Sequence, residues 1–91
     1  MTQTETDATL GRIIFTDNAI QKMKKWGLHT HHIKDTLKHG FNVKPLIPGM
    51  HQKHYRHEGE KEIDCLFTLE DKAGKPLGAI MVISCWARNV L

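Results

Sequence analysis

Along the 91-residue chain the spacing of apolar positions is helical up to Gly40 and strand-like after it. Ala19, Ile20, Met23 and Trp26 fall on one stripe of a predicted first helix. Thr16 is placed to cap it by accepting a first-turn N–H, and Phe15 to staple onto Ile20. Gly27 can end the helix in the left-handed conformation, with Leu28 folding back towards Met23. Thr30 is read as the cap of a second helix, His31 to His39, whose thin stripe is Ile33 and Leu37 and whose stop is Gly40. So short a linker makes the two helices neighbours, an αα-hairpin.

Phe41 to Met50 reads as extended, with Pro45 and Pro48 each removing a backbone donor. His51 to His57 is read as an exposed edge strand ended by Glu58-Gly59-Glu60. Lys61 to Leu69 alternates, with Ile63, Cys65, Phe67 and Leu69 on one face and Glu62, Asp64, Leu66 and Thr68 on the other. Asp71 to Lys75 is a hairpin loop, and Pro76 can only open the strand that follows. Leu77 to Trp86 is apolar on both faces, as a central strand is. The expected fold class is α+β: an N-terminal αα-hairpin packed on a three- to four-stranded antiparallel β-meander. Residues 1–12 are polar and read as a flexible segment, and residues 13–91 as a single domain.

Composition adds limits. The longest apolar run, Ala79–Ile83, is far short of the roughly 18 residues of a membrane helix, so no membrane contact is expected. The start lacks the layout of a secretory signal, which points to the cytoplasm. Cys65 and Cys85 lie in strand patterns and suit reduced, buried thiols rather than a disulfide framework. The net charge of +3 permits a nucleic-acid partner without requiring one, and the seven histidines make the charge sensitive to mild acid.

The candidate chemistry concentrates in His51 to His57. Metal-independent RNA cleavage needs a base for the 2′-hydroxyl, an acid for the leaving oxygen and cations for the charged intermediate. His51, His54 and His57 suit proton transfer, and Arg56 with Arg88 suits the phosphate. Lys22 and Lys53 are candidate binding cations, and Tyr55 a candidate stacking platform. A strand divides this set into His51, Lys53, Tyr55 and His57 on one face and Gln52, His54 and Arg56 on the other. That division argues against a metal held by His51, His54 and His57, and His29 precedes the helix that carries His31 and His32. Neither a metal nor a cofactor is expected.

Asn18-Ala19-Ile20-Gln21-Lys22-Met23-Lys24-Lys25-Trp26-Gly27-Leu28 resembles the opening motif of the bacterial domain-of-unknown-function family 4258, His-Ala-x-x-Arg-Met-x-x-Arg-Gly-Ile. The apolar and glycine positions agree. Asn18 stands where the family has His, and Lys22 and Trp26 where it has Arg. The family is similar in architecture to small RelE- and BrnT-like ribonuclease toxins, so the resemblance implies a toxin-like fold and RNA as a target. The departure at Asn18 implies loss of a proton-transfer group, and Trp26 is expected to pack in the core. The expected function is a cytoplasmic domain that binds RNA or a cognate protein partner. The alternatives are a metal-independent ribonuclease using the histidines above, or a non-enzymatic interaction module or homodimer. Whether the chain is an enzyme is left open by these residues.

Overall fold

Two strands precede the helices. The computed structural model describes residues 2–57 and 61–89. In chain order these form β1 (Gln3–Asp7), β2 (Gly11–Phe15), α1 (Asp17–Trp26), α2 (Thr30–His39), β3 (Phe41–Val43), β4 (His51–His57), β5 (Lys61–Glu70) and β6 (Pro76–Asn89). The strands make one six-stranded sheet in the order β1-β2-β6-β5-β4-β3. All pairs are antiparallel except β2 with β6, which run parallel through Ile13–Phe15 and Ile80–Val82.

The fold is α+β, but the expected architecture is corrected in three respects. The helices do not come first, because residues 3–15 form a β-hairpin, although residues 1–12 are read above as a flexible segment. The sheet is six-stranded and mixed, not a three- to four-stranded antiparallel meander. The helices do not pack on the sheet as a paired hairpin: α1 lies against β6, whereas α2 lies against β4 and β5. The reason lies in Ile13 and Phe15, both fully buried, which belong to a core strand rather than to a helix lead-in. The expected turn at Glu58-Gly59-Glu60 lies outside the described residues.

The local signals around the helices act as their chemistry dictates. Thr16 Oγ1 accepts from the Ala19 N–H at 3.2 Å and donates to the carbonyls of Val82 and Ile83 at 3.0 and 3.1 Å. Asn18 Nδ2 also donates to Ile83 O, at 3.0 Å, so α1 is anchored beside β6 just where pairing with β2 ends. Gly27 closes α1 at φ 67°, and the Leu28 N–H returns to Met23 O at 2.8 Å. The second helix is capped one residue earlier than expected, by His29, whose N–H donates to His32 Nδ1 at 2.9 Å.

One face of the sheet is covered by the helices and holds the core, including Ile13, Phe15, Ile33, Ile63, Cys65, Val82 and Cys85. Cys65 and Cys85 stand opposite one another on β5 and β6 and are unbridged. Burial raises both thiol pKa values, that of Cys85 to about 12, so neither is a nucleophile at neutral pH. The register then fixes what the other, open face presents. His54, Asp64 and Trp86 form one row across β4, β5 and β6, and Arg56, Glu62 and Arg88 form the next.

Candidate functional site

The open face carries a cleft of about 700 Å³ between the sheet, the β3–β4 loop and the end of α1. Its floor is His54, Asp64 and Trp86 of one row with Glu62 and Arg88 of the next, and Lys44 and Trp26 contribute to its walls. The loop is tied down by Gln52, whose Oε1 accepts from the Leu46 N–H at 2.8 Å. An adjoining hollow is lined by Asn18, Lys22, Leu46 and Ile47 and shares Trp26 and Trp86 with the cleft. Both tryptophans of the sequence therefore face this region.

Within the cleft, His54 Nδ1 lies 2.7 Å from Asp64 Oδ1, and both side chains are about one-fifth exposed. With the proton on Nδ1 bound to the carboxylate, Nε2 keeps its lone pair as a base. In the next row Glu62 binds two guanidinium groups, Arg56 Nη2 at 2.9 Å and Arg88 Nη2 at 2.6 Å. Arg56, and then Arg88, lower the pKa of Glu62, so it stays anionic and holds both in place. The arginines remain 58% and 77% exposed, which leaves N–H groups free to meet a phosphate.

The structure brings together only part of the set expected from sequence. His54, Arg56 and Arg88 share the open face, and Lys22 lies beside it. His51, Lys53, Tyr55 and His57 lie on the helix-covered face, as strand alternation requires. There His51 stacks on Phe67 with ring centroids 5.4 Å apart, and Lys53 Nζ donates to Leu37 O at 2.7 Å. Tyr55 lies 6.2 Å from the His39 ring. His51, His54 and His57 therefore cannot form one acid–base set. β4 is also not an edge strand, since it pairs with both β3 and β5.

Of the residues lining the cleft, the set expected from sequence contained His54 and Arg88 and missed Asp64, Glu62 and Trp26 among others. Asp64 and Glu62 read as the outward half of an alternating strand, and nothing in the chain announced that His54 and Arg56 would stand opposite them. Trp26 continues the core stripe of α1, yet it is 39% exposed at the cleft rim instead of buried. The stripe is buried only as far as Met23, because the helix ends beyond the core beneath it.

On the helix-covered face His57 meets α2. The ring centroids of His31 and His32 are 4.1 Å apart and those of His32 and His57 4.9 Å. One ring nitrogen from each of His31, His32 and His57 lies within 4.8 Å of the others. Burial, and then the neighbouring His31, His57, Lys61 and His29, lower the pKa of His32, which is consistent with its role as an acceptor from the His29 N–H. Comparison of the chain with known protein families, with curated proteins and with solved structures returns no match.

Proposed function

We propose that the open face binds single-stranded RNA. The observation that carries this reading is the grouping in one cleft of both tryptophans with Arg88 and the His54–Asp64 pair. Aromatic faces accept any base by stacking, and guanidinium groups accept phosphate oxygens. Glu62 holds Arg56 and Arg88 in register, so little side-chain freedom is lost when they bind. Lys22 and Lys44 extend the positive border.

The test uses the tryptophans themselves. Titration with a short uridine oligomer should quench their fluorescence, and the affinity should fall with salt. About three phosphate contacts on a single strand give a salt slope near −2, on the order of a 20-fold loss between about 50 and 200 mM salt. Arg56→Ala with Arg88→Ala should flatten that slope. An unquenched spectrum, or binding indifferent to salt and to both arginines, would sink the reading.

A second reading, slow metal-independent cleavage, is favoured by the His54–Asp64 contact alone. His54 Nε2 would take the 2′-hydroxyl proton, the alkoxide would attack phosphorus, and the 5′-oxygen would leave and be protonated by solvent. Cleavage that persists in EDTA and is lost in His54→Ala supports it. Strand integrity unchanged over long incubation leaves binding alone.

A further inference from the structure

We infer that His31, His32 and His57 form a binding site for one borderline divalent transition metal such as zinc, on the face of the sheet opposite the cleft. Two elements distant in sequence supply the ligands: the first turn of α2 gives His31 and His32, and the last residue of β4 gives His57. Their ring nitrogens already converge to within 4.8 Å of one another. Zinc–nitrogen bonds of about 2.0–2.1 Å in a tetrahedron need nitrogens roughly 3.4 Å apart, which modest side-chain rotation supplies.

A second observation points to the same place. His57 Nδ1 is buried and has no hydrogen-bond partner among the described residues. Among the described residues the carboxylate oxygen that approaches it, Asp35 Oδ2, stands 3.7 Å away, beyond hydrogen-bond distance. Asp35 lies one helical turn from His31 and is placed either to complete the coordination or to orient a ligand ring. Three imidazoles exclude magnesium and calcium, which take oxygen ligands, and suit zinc, cobalt or nickel.

The site carries its own signature. His32 Nδ1 accepts the His29 N–H at 2.9 Å. A metal on Nδ1 takes that lone pair, and a metal on Nε2 of the neutral ring puts a proton on Nδ1. In either case the His29 amide loses its partner, which adventitious coordination by exposed histidines would not cause.

The experiment is a cobalt(II) titration of the tag-free chain, read by visible absorption and by the backbone amide spectrum, followed by displacement with zinc. One ion per chain, the visible bands of a tetrahedral centre and a moved His29 amide are expected. His57→Ala should weaken binding at least tenfold. The exposed His31→Gln should do the same without disturbing the core, and it decides the matter if His57→Ala fails to fold. His51→Gln should leave binding unchanged. Several weak ions per chain, indifference to His31→Gln, or a stationary His29 amide would overturn the assignment. The result is independent of RNA binding, because the site shares no residue with the cleft.

Discussion

Asp7 shows how much of this fold rests on single polar contacts. Its carboxylate takes Lys38 Nζ at 2.9 Å and the N–H groups of Thr9 and Leu10 at 2.8 and 3.0 Å. Lys38, and then these two amides, hold its pKa at about 2, below the ordinary 3.8. A depressed carboxylate pKa stabilises the fold above the unfolded value and loses that contribution as pH falls through the folded one. The melting-temperature difference between wild type and Asp7→Asn should therefore be full above pH 3.8 and should vanish towards pH 2. A difference that stays constant across that range would remove Asp7 from the account. Trp26 makes the complementary point. Its spacing correctly put it on the apolar stripe of α1, but spacing carries no information on where the core beneath the helix stops.

At the scale of elements, α2 and β4 depend on a close approach at Gly40. Its φ is −70°, so backbone conformation does not demand glycine. A Cβ there would run into Thr36 O and would lie 2.9 Å from His54 O. Gly40→Ala is expected to cost about 1–3 kcal/mol, the usual cost of overpacking, read from denaturant unfolding. Because one of the two crowded carbonyls belongs to His54, the same variant should weaken RNA quenching, whereas a purely global effect would leave the folded fraction binding normally. The stop at Gly40 was legible from sequence as a helix terminator. Its reason was legible only in part, since one of the two clashes, that with His54 O, comes from a strand fourteen residues on.

The β1–β2 hairpin was the element least visible in the sequence. Its outer strand, Gln3–Asp7, has no apolar alternation to betray it. Its cross-element partners are charges: Glu5 pairs with Lys34 at 2.8 Å and Asp7 with Lys38. Acidic side chains two apart on a strand lie on one face, as do lysines four apart on a helix, so the two sets match. That complementarity can be read only when both elements are already known to be neighbours.

For the whole molecule, the sheet separates two chemistries. The open face offers aromatic rings, arginines and the His54 ring, and the helix-covered face carries the His31, His32 and His57 cluster with Asp35 beside it. RNA affinity measured by tryptophan quenching should be the same in EDTA and in saturating zinc. A shift in affinity between the two conditions would mean that the faces are coupled through β4, which carries both His54 and His57.

The sequence by itself determined the local features: the two helices and their glycine stops, the Thr16 cap, the strand His51–His57 and the alternation that divides its side chains between two faces. These follow from backbone and side-chain chemistry acting within a few residues. Only the tertiary structure decided which strands are neighbours, and with that the parallel β2–β6 pair, the row of His54 with Asp64 and Trp86, and the meeting of His57 with His31 and His32. Strand register and helix placement depend on contacts between segments tens of residues apart, and a periodicity of two or 3.6 carries no trace of them.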